Sequence, residues 1–144
     1  VATCDLALST DDAIFSTPGV NIGLFCSTPM GALSRNVARK KAMRMLLTGE
    51  PVSAKHAKDI GLINDHFSND NLEEEVVKLA ENISSKSKKI IKIGKKAFYK
   101  QLEMPLDKAY KFTSRVMSEN MMALDAKEGI SAFIEKRKPN WKDK

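Results

Sequence analysis

Cys26 is the side chain in this sequence whose position most suggests chemistry. It stands directly before Ser27-Thr28-Pro29, where a hydroxyl followed by proline is typical of a helix start. A thiol near a helix N-terminus can have a lowered pKa and act as a nucleophile. No base is identifiable beside it, so a small buried residue is the favoured interpretation.

The other titratable candidates are two histidines and a pair of adjacent aspartates. His56 and His66 have no nearby cysteine and no metal-binding spacing, so no metal site is expected. Asp11 and Asp12 cannot act as paired carboxylates on a strand, because adjacent strand residues point to opposite faces. They are typical of a turn. Cys4 and Cys26 are far apart in the chain, which excludes a disulfide-dense scaffold or a zinc ribbon.

Two basic segments could bind phosphate. Residues 86–100 carry seven lysines that project onto one half of a helix, either as a phosphate or nucleic-acid stripe or as a solvated face. The solvated face is favoured, because the projection assigns no aromatic residue to the lysine half for base stacking. Glu135-Lys136-Arg137-Lys138 closes the last predicted helix, where cations favour the helix C-terminus or could grip a ligand phosphate.

Composition places the chain among globular domains. Its 144 residues are 42% hydrophobic and 29% charged, enough for one domain and not disordered. No apolar run approaches the roughly 18 residues of a membrane span. Residues 86–144 hold sixteen basic and seven acidic residues, against a total charge of +6, which suggests phosphate-bearing partners. The chain starts at Val1 with no visible targeting segment, and we interpret it as a piece of a longer protein.

The elements that must position these residues form a strand-and-helix region followed by helices. We predict a strand over Val1–Leu8, a second over Ala13–Ser16, an apolar pocket-lining loop over 20–26 and a strand over Leu62–Phe67. One or two helices run from Ser27 to Thr48 and stop at Gly49, and Ser53 caps a short helix ending at Ile60-Gly61. Asp70 with Glu73 and Asp125 with Glu128 are predicted cap pairs. Helices are further predicted over about 86–102, from Pro105 to about Ala123 and from Asp125 to about Arg137.

Several motifs occur in an order that points to a known family. They are Cys4-Asp5-Leu6-Ala7, Phe15-Ser16-Thr17-Pro18-Gly19, Leu47-Thr48-Gly49-Glu50-Pro51-Val52-Ser53-Ala54, Ala57 to Ile63, and Glu128 to Pro139. Together they resemble the second half of the crotonase (enoyl-CoA hydratase/isomerase) superfamily, and most of all its mitochondrial, hydratase-domain-containing branch. The resemblance implies an α/β fold: the C-terminal half of a crotonase spiral over residues 1–67, then a helical trimerisation region over 68–144. The N-terminal half of the domain is expected to lie upstream.

The resemblance also implies a site and a defect in it. Crotonases bind acyl-CoA thioesters and stabilise an enolate-like anion with two backbone N–H groups, which would lie upstream of Val1. Hydratases use two glutamates, and the second should follow Pro18, where this chain has Gly19. Glycine cannot transfer a proton, so classical hydration is not expected and no catalytic residue is assigned. The substrate-binding residues implied are Pro18, Gly19, Gly23, Leu24, Phe25 and Lys136.

The function expected by resemblance is acyl-CoA binding in mitochondrial fatty-acid metabolism, as a homotrimer or hexamer. Coenzyme A enters as part of the substrate, and no separate cofactor is expected. Lys136 is expected to reach the adenine-ribose-phosphate end of CoA bound to a neighbouring subunit. Two alternatives stay open: an isomerase or other enolate-stabilising enzyme, and an RNA-binding crotonase relative that uses the lysine stripe. A nucleic-acid partner is not favoured.

Overall fold

The computed structural model describes residues 1–143 and divides into two compact units. The N-terminal unit comprises Val1–Leu79 and contains short strands and helices, whereas the C-terminal unit, Ala80–Lys144, is built from helices. This mixture confirms the predicted α/β class. The predicted division of the complete fold after residue 67 stays a prediction.

Two small sheets hold the N-terminal unit together. β1 (Leu8–Thr10) pairs with β4 (Asp65–Phe67) in parallel, and β2 (Ile14–Phe15) pairs with β3 (Val52–Ser53) antiparallel. Parallel partners need a long crossover, which the intervening helices supply. The elements are β1 (Leu8–Thr10), β2 (Ile14–Phe15), a 3₁₀ helix (Pro18–Ile22), α1 (Ser27–Asn36), α2 (Arg39–Thr48), β3 (Val52–Ser53), α3 (Ala54–Asp59) and β4 (Asp65–Phe67).

Apolar side chains from α1, α2, α3 and the segments around them form the core of this unit. Leu46 is 1% exposed, and the small side chains of Ala54 and Ala57 are fully buried, which lets α3 pack closely. The other members are Leu33, Val37, Ala42, Met45, Val52, Leu62 and Ile63. The predicted helix boundaries here are confirmed, because Gly49 ends α2 with φ of 62° and the Ser53 hydroxyl accepts from the His56 N–H.

Two predictions for this unit were wrong. The first strand is Leu8–Thr10 and not Val1–Leu8, because those three residues pair with β4 while Val1 to Cys4 close a turn. The helix start predicted at Ser27-Thr28-Pro29 is confirmed, but the predicted hydroxyl cap is wrong, and the Ser27 hydroxyl donates to the Phe25 carbonyl at 3.3 Å instead. The N-cap of α1 is Cys26, without a side-chain cap.

Three helices follow α4 in the C-terminal unit. α4 (Asn69–Ser84) crosses the division between the units and is followed by α5 (Lys88–Leu102), α6 (Leu106–Met121) and α7 (Leu124–Ile134). Ser87 begins α5, and its buried hydroxyl accepts from the Ile90 N–H at 3.3 Å. The segment after α7 returns to the start of α5, where the Asp143 carboxylate accepts from the Lys88 N–H at 2.8 Å.

The predicted caps in the second half of the chain were wrong for one reason. Both helices begin at the residue before the predicted cap, so Asp70 lies inside the first turn of α4 and Asp125 inside that of α7. Asp125 is 1% exposed and accepts from Ser87 Oγ and from the N–H groups of Lys142 and Asp143. It therefore anchors the returning segment instead of capping its own helix. These hydrogen bonds lower the pKa of Asp125, and the bond from the Ser87 hydroxyl has the largest effect.

None of the helices formed by residues 1–143 has the length and apolar character that a membrane span requires. Within the same residues no group of three or more His, Cys, Asp or Glu side chains is arranged to hold a metal ion. Cys4 is exposed, Cys26 is half-buried, and both are free thiols.

Candidate functional site

The segment Pro18–Cys26 forms a tight reversal rather than an open loop. After the 3₁₀ helix, Gly23 adopts a left-handed conformation with φ of 81°, which glycine accepts without strain. This turn brings the Leu24 N–H to 2.9 Å from the Gly19 carbonyl. The Gly19 N–H in turn donates to Cys26 Sγ at 3.3 Å. Both backbone groups of Gly19 are thus used to close the reversal.

Gly19 has no room for a side chain. A Cβ built on it would lie 2.7 Å from the Leu24 carbonyl oxygen and 2.8 Å from Cys26 Sγ. Both distances are inside van der Waals contact, and the first atom belongs to the backbone. The position at which the sequence resemblance led us to expect a glutamate is therefore occupied by glycine, and neighbouring atoms fill the space of a side chain.

Gly49 holds the reversal from the other side. It lies at the end of α2, and a Cβ on it would meet Val20 Cγ2 at 3.1 Å and Pro18 Cα at 3.2 Å. The buried Thr17 hydroxyl adds a second tie by donating to the Met45 carbonyl at 2.8 Å. The conformation of the reversal is fixed by α2 as well as by its own hydrogen bonds.

The structure brings the predicted substrate-binding residues Pro18, Gly19, Gly23, Leu24 and Phe25 together in this reversal. Leu24 is 63% exposed and Phe25 is 42% exposed, so the loop presents apolar side chains at its surface, and their role in lining a pocket stays a prediction. A cavity of about 400 Å³ lies beside the reversal. Its walls are formed by residues before and after the reversal, and not by residues 18–26 themselves. These wall residues include Phe15, Thr17, Pro29 and Leu33.

Sequence reasoning missed one pair of titratable side chains. His66 Nδ1 lies 2.5 Å from Asp11 Oδ1, and the Asp11 N–H donates to the Phe67 carbonyl at 2.8 Å. The β1–β4 register places Thr10 opposite Phe67, so Asp11 falls beside His66 although 55 residues separate them. Only the strand pairing could have revealed the contact. Neither residue is near the Gly19 reversal in the contacts that the described residues make.

A separate candidate binding segment lies in the C-terminal unit, at the end of α7. The helix stops at Ile134, earlier than predicted, and Glu135 is its C-cap. The Lys136 N–H donates to the Phe133 carbonyl at 3.3 Å, and the Arg137 N–H donates to the Ala132 carbonyl at 3.0 Å, which is a Schellman pair. Lys136 takes the left-handed position of this motif with φ of 53°.

A lysine at this position stores backbone strain. Glycine is the usual residue there, and a residue with a Cβ pays about 1–2 kcal/mol for the left-handed conformation. Such strain persists when neighbouring contacts over-determine the backbone, and it is concentrated at functional sites. A strained lysine therefore invites a functional explanation.

Arg137 is fully engaged within its own unit. Its Nη1 and Nη2 donate to Glu128 Oε1 and Oε2 at 2.6 and 3.0 Å, and its Nε donates to Glu135 Oε2 at 2.6 Å. The guanidinium lowers the pKa of Glu128 to about 2, helped by the Asn140 N–H, and the two carboxylates raise the pKa of Arg137. The Arg137 guanidinium, which the sequence suggested could bind a phosphate, is thus already bonded to two carboxylates. Among residues 1–143 neither Lys136 nor Lys138 is in an ion pair, so these two cations remain for a ligand.

Six of the seven lysines of the stripe lie on α5, and Lys86 precedes that helix. The prediction that the lysine half carries no aromatic residue was wrong. Tyr99 is 48% exposed and at about 100° per residue projects among the lysines, so the lysine half does carry an aromatic residue. It packs edge-to-face against Phe98 with ring centroids 5.4 Å apart. Lys100 Nζ lies 5.1 Å from the Phe112 ring centroid, a cation–π geometry that engages one cation of the stripe.

The family is established by comparison with known proteins. The family described as enoyl-CoA hydratase/isomerase matches residues 1–144, and the chain belongs to it. The predicted crotonase resemblance is thereby confirmed.

Individual relatives show which members of this family the chain is similar to. The chain is 50% identical over 141 residues to "Enoyl-CoA hydratase domain-containing protein 3, mitochondrial" of Rattus norvegicus, covering 98% of this chain and 47% of that protein. It is 37% identical over 145 residues to "Enoyl-CoA hydratase, mitochondrial" of Pongo abelii, covering 97% of this chain and 49% of that protein. The chain therefore spans about half the length of the curated relatives it matches.

Solved structures confirm the fold. The human enoyl coenzyme A hydratase domain-containing protein 3 superposes with a TM-score of 0.92 at 48% identity, covering 97% of this chain and 55% of that chain. An enoyl-CoA hydratase of Mycobacterium smegmatis superposes with a TM-score of 0.94, also at 48% identity and with the same coverage. The chain therefore has part of the crotonase fold, as predicted.

Proposed function

We propose that the full-length protein binds acyl-CoA thioesters in mitochondrial fatty-acid metabolism and that its classical enoyl-CoA hydratase activity is lost or weak. The observation that carries this proposal is the Gly19 reversal, where the Leu24 carbonyl and Cys26 Sγ fill the space of a side chain. Hydration needs a group that transfers a proton to or from substrate and water, and such a group typically contributes about 10²–10⁴-fold. With no space for that group at position 19, binding without efficient hydration is the expected behaviour.

Binding of the acyl chain is supported by the outward apolar residues of the same segment. Leu24 and Phe25 are exposed apolar side chains, which suit contact with an acyl chain. For the CoA end we propose that Lys136 contacts the adenine-ribose-phosphate of CoA bound to a neighbouring subunit. Its ammonium is outside any ion pair within residues 1–143, and a compact charge on a flexible stem suits a phosphate.

We further propose that the protein works as a homotrimer or hexamer in mitochondria. Large apolar side chains are exposed on the C-terminal unit, which is typical of a surface that is covered in an assembly. Examples are Tyr110, Met122, Phe133 and Ile134. The relatives whose names include "mitochondrial" support the compartment.

The test is a comparison of binding and turnover by the full-length protein. Isothermal titration with butyryl-CoA should give saturable binding, while crotonyl-CoA should be hydrated orders of magnitude more slowly than by an active mitochondrial hydratase measured in parallel. Robust hydration of crotonyl-CoA would refute the proposal, and so would the absence of any acyl-CoA binding.

The second candidate is an isomerase or another enolate-stabilising enzyme. It is favoured by the same geometry, because Gly19 leaves no space for one acid/base group while Leu24 and Phe25 remain exposed for contact with an acyl chain. Exchange of the α-protons of butyryl-CoA with deuterated solvent separates the candidates. An isomerase would catalyse this exchange with a proton-transfer group from elsewhere in the protein, and a binding protein would not.

A further inference from the structure

Lys136 is held between two residues whose side chains are tied to each other. Arg137 Nε donates to Glu135 Oε2 at 2.6 Å, which links the residues on either side of Lys136. Arg137 Nη1 also donates to the Lys138 carbonyl at 3.3 Å. Both contacts lie within residues 135–138, so they link this segment to itself and do not fix it relative to α7.

Glu128, which lies within α7, anchors the segment 135–138 to this helix. Both of its carboxylate oxygens accept from Arg137, and Oε1 also accepts from the Asn140 N–H at 2.7 Å. The Glu128 side chain is 23% exposed, so solvent screens these bonds less than at an open surface. The Glu128 carboxylate therefore fixes both the Arg137 side chain and the backbone at Asn140.

We propose that Glu128 is a positioning residue for Lys136, holding the left-handed backbone that presents the ammonium to the CoA phosphate. This inference rests on the phosphate contact proposed above for Lys136. A left-handed backbone at a lysine relaxes unless its surroundings hold it, and the direction of a side chain follows from its backbone angles. Without this anchor, the ammonium samples more positions and spends less time at the phosphate.

Positioning and plain electrostatics predict opposite signs, which makes the inference testable. Glu128→Gln removes a negative charge close to the proposed phosphate site, so simple Coulomb attraction would strengthen CoA binding. Loss of positioning weakens it instead. Glu135→Gln is the matched control, because it removes the same charge and one Arg137 contact from the same turn but leaves the Glu128 bonds to Arg137 and Asn140 intact.

The experiment measures Kd for butyryl-CoA and for its 3′-dephospho analogue with the full-length oligomer. We expect wild type and Glu135→Gln to prefer the phosphorylated ligand about fivefold, which corresponds to about 1 kcal/mol. Lys136→Ala should lose this preference, and Glu128→Gln should lose at least half of it. Arg137→Lys, which keeps the charge but not the fork, should lose it similarly. Thermal unfolding of each variant monitors folding, and Arg137→Lys carries the test if Glu128→Gln does not fold.

Each outcome decides between the two claims. If Lys136→Ala loses the preference while Glu128→Gln and Arg137→Lys keep it or increase it, the positioning role of Glu128 is wrong and the phosphate contact stands. If Lys136→Ala keeps the preference, the phosphate contact is wrong and the positioning inference falls with it. Equal losses in Glu128→Gln and Glu135→Gln would also overturn the inference, because the effect would then not depend on the Glu128 anchor.

Discussion

Restoring the family's glutamate by Gly19→Glu should destabilise the protein without restoring hydration. The new Cβ would lie 2.7 Å from the Leu24 carbonyl oxygen and 2.8 Å from Cys26 Sγ. Overpacking of this kind costs about 1–3 kcal/mol, and the reversal must open to relieve it. Opening it breaks the hydrogen bonds that Gly19 makes with Leu24 and Cys26, each worth about 0.5–1.5 kcal/mol.

The expected size of the effect can be measured directly. A loss of about 2 kcal/mol corresponds to a fall in Tm of about 4–8 °C for a large domain. Differential scanning fluorimetry of the full-length protein measures this fall, and crotonyl-CoA hydration measured in parallel should stay at the wild-type level. Adding Cys26→Ala should recover only part of the Tm, because it removes the sulfur contact and leaves the contact with the Leu24 carbonyl.

Gly31→Ala provides the matched control. Gly31 lies within α1, and a Cβ there would meet nothing within 4 Å. Alanine in a helix interior is favoured over glycine by about 0.5–1 kcal/mol, so this variant should be as stable as wild type or more so. If Gly19→Glu leaves Tm unchanged, or if it raises hydration to the level of an active hydratase, then the argument that this position is sterically closed is incorrect.

Three further measurements test other parts of the structure. Lys136→Gly should raise Tm relative to Lys136→Ala, because glycine adopts φ of 53° without strain, while both variants lose the preference for CoA over dephospho-CoA; equal Tm values would contradict the strain. The pKa of Glu128 is lowered from 4.5 to about 2, so its contribution to stability is complete above about pH 4.5 and is lost as the pH falls towards 2. Glu128→Gln should therefore flatten the fall of Tm over that interval, and a variant curve parallel to wild type would count against the pairing. Charge reversal on the α5 stripe should leave acyl-CoA binding nearly unchanged, whereas a collapse of RNA affinity with a steep salt dependence would favour the RNA-binding alternative. The residues reversed are Lys88, Lys92, Lys96 and Lys100.

The sequence predicted those features that depend on local signals. Gly49 at a helix end and Ser53 at a helix start were recognised from the residue types around them, and both predictions were confirmed. The end of the first strand could not be located, because strand boundaries depend on the partner, and β4 lies more than 50 residues away. The acidic residues at the start of α7 were misassigned for a similar reason. Asp125 resembles a cap until the segment at Lys142 and Asp143 folds back onto it.

The candidate site shows the same limit. Gly19 was recognised from the motif around Pro18, but its steric closure depends on Cys26, which the sequence offered only as a nucleophile or a buried residue. Arg137 looked available for a phosphate because its acidic partner Glu128 is nine residues away, across the length of α7. Charged side chains in a sequence can be counted, but which of them pair within the chain is decided by the fold.

The packing around Gly19 bears on whether a single reversion could place an acid at this position. A glutamate lost by a single substitution would leave the volume of its side chain as an empty space, and reversion would refill it. Here the space is occupied, because the left-handed turn at Gly23 carries the Leu24 carbonyl towards Gly19 and the Cys26 thiol accepts the Gly19 N–H. Regaining the acid would require the turn and the thiol to change together with Gly19. The reversal is therefore built around a glycine, and position 19 offers no space for a proton-transferring side chain.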